Sequence, residues 1–295
     1  MIVAPDGDCE PPGLGEGILA ELGFTPRLVD GIPNMALLEI VILAVVQGVA
    51  EFLPISSSGH VVVIAALFDQ LGQPLEDKIS VNVVLHVGTL LAVLVFYWRR
   101  VLRLLGQDRR VIGLLVVGTL PAVVVGLPLR WHFHQALESP MLAGFMFLVT
   151  GALLLWGASI HSGSLDCREL QFRHALAIGA FQALAILPGV SRSGATIVAG
   201  LACGLKRHEA AAFSFLLAIP AIGGAGLLEA ISLLDQQSCE IPARLLILGG
   251  VLSCLVGLVS LWWLVRWLAQ GRLSYFAWWV FLLGPVVVAW RLWWS

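Results

Sequence analysis

Charge is scarce in this chain. Only 12% of its 295 residues are charged against 59% hydrophobic, and the mean hydropathy is +0.92, which excludes an ordinary soluble domain. The basic residues are scattered and the net charge is −2, so no cationic footprint for nucleic acid exists. The five cysteines, Cys9, Cys167, Cys203, Cys239 and Cys254, show no CxxC spacing, so neither a thiolate metal site nor a disulfide framework is indicated; they read as small apolar fillers. Strict polar/apolar alternation is missing from the apolar runs, which excludes a membrane β-barrel. The segment 1–34 lacks the basic and apolar regions of a signal peptide and is acidic and rich in Pro and Gly. This tail is expected to lie outside the fold and to be dispensable for activity. Met35, directly before the first apolar stretch, is compatible with the tail being an upstream extension of the reading frame.

What remains is long apolar runs. Val83 to Tyr97, Val111 to Leu127, Met141 to Ala158, Ala210 to Leu234, Leu245 to Leu268 and Phe276 to Trp294 approach the roughly 20 residues that span hydrocarbon as a helix. The expectation is an all-α polytopic membrane protein with six spanning helices in one membrane domain, 35–295.

The chain also repeats. Ser56 and Ser191 hold like places in two similar motifs, and sliding the chain until Ser56 falls on Ser191 lays Val83 to Trp98 on Ala218 to Leu233, Val111 to Pro128 on Leu246 to Trp263, and Pro140 to Ala158 on Tyr275 to Trp293. Each half, about 36–158 and about 174–294, thus holds one motif segment and three crossings. An odd number of crossings places the second copy upside down, the inverted-topology arrangement of many transporters. The motif segments, Leu37 to Leu67 and Ala175 to Leu205, are broken in the middle by Leu-Pro, Ser and Gly. Each reads as a re-entrant helical hairpin, because proline removes a backbone donor and glycine tolerates a left-handed turn. A kinked spanning helix is the plainer alternative.

Charge tests this layout. With the Arg99, Arg100, Arg103, Arg109 and Arg110 loop in the cytoplasm, Arg168, Arg173, Lys206, Arg207, Arg266 and Arg272 follow, placing eleven of the seventeen basic residues inside. Only re-entrant motifs give that count, the first entering from outside, the second from inside, and the tips meeting within the membrane.

The two tips carry the chemistry. Gln47 and Glu51 are four apart and share a helix face. After Leu53-Pro54 come Ser56, Ser57, Ser58, Gly59 and His60, where a second half-helix would begin and offer free N–H groups to a phosphate. The other tip supplies Ser191, Arg192, Ser193 and Gly194, with a guanidinium fork that matches phosphate oxygens. Glu51 can bind a divalent cation or act as base, Ser57 or His60 can attack phosphorus, and Arg192 can stabilise transferring oxygens. Blander roles exist for each. Serines often bond to helix carbonyls, His60 can be a packing histidine, and Glu51 with Arg192 can form an ion pair that only locks the tips. His86 reads as a helix-packing or supporting group. Trp262, Trp263, Trp278, Trp279, Trp290, Trp293 and Trp294 read as interfacial anchors and lipid-facing bulk.

Gln47-Gly-Val-Ala-Glu51-Phe-Leu-Pro-Ile-Ser-Ser-Ser-Gly-His60 and Pro188-Gly-Val-Ser-Arg-Ser-Gly-Ala-Thr196 resemble the two signature motifs of the undecaprenyl-diphosphate phosphatase (bacitracin-resistance) family. The resemblance extends from Leu37 to Trp294, including Leu85 to Val93 and Ala211 to Pro220. It implies an integral enzyme of the bacterial inner membrane, with its active site facing the periplasm. Such an enzyme hydrolyses undecaprenyl diphosphate to the monophosphate and phosphate with a divalent cation (Mg2+ or Ca2+), regenerating the lipid carrier for peptidoglycan. It puts the essential glutamate on Glu51, the hydroxyl cluster on Ser56, Ser57 and Ser58, the histidine on His60 and the arginine on Arg192. Ser191, Ser193 and Gly194 join the phosphate site, and Glu51 with Gln47 the metal site. The family often has Glu where this chain has Gln47, so one metal-binding carboxylate is missing. Expected partners are undecaprenyl diphosphate and membrane lipid, no nucleic acid, with a homodimer left open. A transporter or flippase of phosphorylated prenyl lipid is the alternative, since inverted repeats with broken helices often serve alternating access.

Overall fold

The computed structural model describes residues 28–29, 32–70, 78–234 and 241–293. Most of the 1–34 tail, together with Cys9 and Cys239, lies outside the described residues. Apart from an antiparallel pairing of Leu28–Val29 with Ile32–Pro33, the described elements are helical. They are α1 (Asn34–Ala50), α2 (Ser57–Gln70), α3 (Lys78–Phe96), α4 (Trp98–Leu105), α5 (Arg109–His132), the single turn α6 (His134–Leu137), α7 (Pro140–Ser159), α8 (Phe172–Leu184), α9 (Arg192–Ala202), α10 (Arg207–Leu234), α11 (Ala243–Ala269) and α12 (Ser274–Trp293).

Five of these, α5, α7, α10, α11 and α12, are long and apolar enough to cross a membrane, and α3 with α4 makes a sixth if that bent pair counts as one span. The chain is therefore a multi-pass membrane protein, as composition implies. The run expected to end at Tyr97 instead turns by 78° there into α4. In α4 the apolar Trp98, Leu102 and Leu105 are exposed, and Arg99, Arg100 and Arg103 occupy the other face, the pattern of a helix lying in the membrane interface. Arg100 bonds to Glu209 at the start of α10 and ties α4 to the bundle.

Both motif segments break where the residue chemistry demands it. α1 ends at Ala50, four residues before Pro54, and α8 ends at Leu184, before Pro188-Gly189; proline has no N–H to continue a helix and pushes the preceding residue out of the helical region. New helices then start at Ser57 and Arg192. The frame is held by close backbone approaches at small residues, which carry helix association where both solvent and side chains are apolar. A Cβ on Gly88 of α3 would lie 2.3 Å from Gly250 O of α11, one on Gly179 of α8 2.4 Å from Gly118 O of α5, and one on Gly284 of α12 2.8 Å from Gly144 O of α7. α1 packs on α11 as α8 packs on α5, and α3 on α11 as α10 on α5.

Candidate active site

The two breaks meet. A Cβ on Gly59 would lie 2.8 Å from Gly189 Cα, and one on Gly189, whose φ is +94°, 2.3 Å from Ala143 O of α7. Ser56 Oγ donates to Val190 O at 3.4 Å, and Ser193 Oγ donates to Leu53 O at 3.4 Å, so each tip bonds to the other's backbone.

Each tip is also capped by its own serine. Ser56 Oγ accepts from Gly59 N at 3.3 Å, and Ser191 Oγ accepts from Gly194 N at 3.1 Å, which satisfies one of the orphan donors at each helix start. The hydroxyl pairs repeat too, with Ser56 Oγ and Ser58 Oγ 3.4 Å apart and Ser191 Oγ and Ser193 Oγ 3.2 Å apart. Ser56 has a φ of 71° and is the sole non-glycine described residue in the left-handed region.

Glu51 joins the tips. Its Oε2 accepts from Ser57 Oγ at 2.7 Å and from Gln47 Nε2 at 3.0 Å. Its Oε1 accepts from Arg192 Nη2 at 2.6 Å. Glu51 and Gln47 are buried and Arg192 is 16% exposed at its side chain, so the pair sits at low dielectric and removing one partner leaves an uncompensated charge, worth about 3 to 5 kcal/mol. Arg192 Nη1 donates to Ser214 O of α10 at 3.3 Å. Glu51, Ser56, Ser57, Ser58, Ser191, Arg192 and Ser193 line one cavity.

The candidates thus come together, with unequal access. Ser191 and Ser193 are buried, Ser57 is half-buried and Ser58 is exposed, so the first tip faces the opening. Gln47 turns its amide toward Glu51. Gly194 has Pro54 Cβ 3.2 Å from where a Cβ would stand and serves the contact between tips. His60 lies with its ring edge on Phe147, the centroids 5.2 Å apart, its Nδ1 2.7 Å from Ser56 O and its Nε2 3.1 Å from the indole Nε1 of Trp279. His86 places Nε2 3.9 Å from Glu51 Oε2 and Nδ1 2.8 Å from Asn82 O, a supporting position.

Several supports have no sequence signature. Thr150 Oγ1 of α7 donates to Gly189 O at 2.7 Å and accepts from Ser191 N at 3.0 Å. Thr196 Oγ1 bonds to Arg192 O at 2.8 Å and lies 2.6 Å from Ser214 Oγ. Trp279 contacts a site histidine rather than serving only as bulk. Cys167, in the α7–α8 connection, sits away from the site under Glu209, donating to Glu209 O at 3.4 Å. Burial, then the Glu209 carboxylate, pushes its thiol above the ordinary range and keeps it protonated.

Fold and site define a multi-pass membrane protein in which a serine and a guanidinium at two helix starts meet a carboxylate that follows the end of α1. Residues 40–286 match the family model described as "Bacitracin resistance protein BacA". The chain is 49% identical over 255 residues, 85% of this chain and 97% of the relative, to an "Undecaprenyl-diphosphatase" of Rhodopirellula baltica. Proteins of that name from Halothermothrix orenii and Methanosphaera stadtmanae are 36% and 34% identical, each over 97% or more of their length and 85% or more of this chain. The chain belongs to the BacA family.

Proposed function

We propose that this protein hydrolyses undecaprenyl diphosphate to undecaprenyl phosphate and inorganic phosphate and so recycles the lipid carrier for cell-wall synthesis. The observation that carries the reading is Glu51, whose carboxylate holds the Ser57 hydroxyl on one oxygen and the Arg192 guanidinium on the other. Ser57 Oγ already donates to Glu51, so Glu51 takes its proton as Oγ attacks the terminal phosphorus. The phosphoanhydride P–O bond breaks, Glu51 passes that proton to the departing undecaprenyl phosphate, and a phosphoserine remains. Glu51, ionised again, takes a proton from water as its oxygen attacks that phosphorus, and hands it to Ser57 Oγ as phosphate leaves. Arg192 exchanges Glu51 for the non-bridging oxygens and, with the N–H groups at the starts of α2 and α9, offsets their charge.

The donor atoms around Glu51 are carboxylate, carboxamide and hydroxyl oxygens, the hard set that suits Mg2+ or Ca2+. Glu51 and Gln47 would hold such an ion, which would supply positive charge to the substrate's diphosphate. Glu51 and Arg192 cancel one another's charge, so an anionic headgroup meets a neutral site, and a cation with the substrate completes the balance.

The finer architecture is part of the proposal. Paired packings that exchange when the two halves are exchanged, α1 on α11 with α8 on α5, support two inverted repeats whose re-entrant tips meet at mid-depth. The basic residues on the α3–α5 and α7–α8 connections support a cytoplasmic location for them and a site open to the periplasm. Phosphate release from undecaprenyl diphosphate by purified protein in detergent tests the function. Release is expected with Mg2+ or Ca2+, and none under any divalent cation would favour lipid transport instead.

A further inference from the structure

His60 is the histidine nearest the tips, yet neither of its nitrogens is free. Ser56 O can only accept a hydrogen bond and the Trp279 indole N–H can only donate one. With Nδ1 2.7 Å from Ser56 O and Nε2 3.1 Å from Trp279 Nε1, the ring must be neutral, protonated on Nδ1, with its Nε2 lone pair given to tryptophan. A ring so engaged has no lone pair to attack phosphorus or receive a proton.

What it holds is the strained residue of the site. Ser56 sits at φ 71°, a conformation strained for any residue but glycine that persists only where the surroundings over-determine it. Here Ser56 O accepts both the backbone N of His60, at 3.3 Å, and its ring Nδ1. The residue that follows is Ser57, whose hydroxyl must point at Glu51.

We infer that Trp279, on the last helix, is a positioning residue for the phosphatase reaction: its indole N–H fixes the tautomer of His60, which holds the Ser56 turn and aims Ser57 at Glu51. The inference rests on the phosphatase reading. Without that donor, the other tautomer becomes accessible, and its Nδ1 lone pair would face the lone pairs of the Ser56 carbonyl oxygen across the same short gap. The rings of His60 and Trp279 are nearly parallel, 5° apart, with centroids 6.3 Å apart, so the contact has a fixed geometry. Trp279 is half exposed, so shortening its ring opens no cavity in the core.

The test is Trp279→Phe in the full-length protein, with two readouts. One is phosphate release from undecaprenyl diphosphate. We expect kcat to fall about tenfold while KM changes less than about twofold, since a misdirected hydroxyl weakens the transition state more than substrate binding. The other is the 15N shift of the His60 ring in histidine-labelled protein, identified by its loss in His60→Asn. The wild type should be the Nδ1–H tautomer, and Trp279→Phe should shift it toward Nε2–H. Trp279→His, which can donate again, should recover part of kcat and serves also if the Phe variant folds poorly. Wild-type kcat in Trp279→Phe, or an Nε2–H tautomer in the wild type, would overturn the inference. A wild type that releases no phosphate but shows Nδ1–H would instead sink the phosphatase reading while leaving the contact in place.

Discussion

The two tips are the same device put to different uses. Both have Leu-Pro ahead of the break, a serine whose hydroxyl caps the new helix, a second hydroxyl two residues on and a glycine that closes the turn. They differ at the residue after the capping serine, Ser57 in one and Arg192 in the other. On the proposed mechanism, that exchange gives one tip a hydroxyl to attack with and the other a cation to steady charge. Access also differs, Ser58 being exposed at one tip and Ser193 buried at the other. Strain is distributed differently as well. The first tip has it on Ser56 and the second on Gly189, where glycine adopts the left-handed region freely. Two similar tips thus make an asymmetric site, with Ser57 against Arg192 after the capping serine and a carboxylate, Glu51, at the first tip alone.

Breaking the link between the tips should have the largest effect. Glu51→Gln keeps the shape but removes the proton acceptor for Ser57, and turnover should fall about 10³-fold or more with the fold retained, read as phosphate release beside a thermal melt in detergent. Next come the hydroxyls. Ser57→Ala should match that loss, whereas Ser58→Ala, at the exposed edge, should cost less than about tenfold. Phosphate trapped on Ser57 in a rapid quench would sharpen the contrast, and label on any other residue would contradict the assigned nucleophile.

Gly189→Ala probes the contact itself. Its new Cβ would stand 2.3 Å from Ala143 O at a φ of +94°, so the melting temperature should drop by several degrees and activity with it, and an unchanged melt would mean the tips are not packed as described. The smallest change is Gln47→Glu, which sets a second carboxylate beside Glu51. We expect activity kept or raised and a lower half-saturating concentration of divalent cation; a higher one would argue against Gln47 and Glu51 as the cation's holders.

Much of this was legible in the residues. The apolar runs announce spanning helices, and the serine spacing announces the tips, because hydroxyls and charges that interrupt apolar segments need a reason. Proline and glycine mark where α1 and α8 stop. Thr150, Ser214 and Trp279 were not legible, since each supports the site across tertiary contacts that follow no local spacing, and Trp279 stands among other exposed tryptophans such as Trp278 and Trp262. The sharp turn at Tyr97 has neither proline nor glycine to announce it. It falls where Arg99 and Arg100 begin a basic face, which composition alone reads only as a loop.

The central claim is that Arg192, from the second tip, acts on phosphate attacked at the first. Phosphate release by Arg192→Ala and Arg192→Lys, each confirmed folded by its melt and set beside wild type, tests it most directly. The account predicts about a 10³-fold loss or more in Arg192→Ala and only partial recovery in Arg192→Lys, whose single ammonium cannot reproduce the fork. Wild-type turnover in a folded Arg192→Ala variant would contradict it.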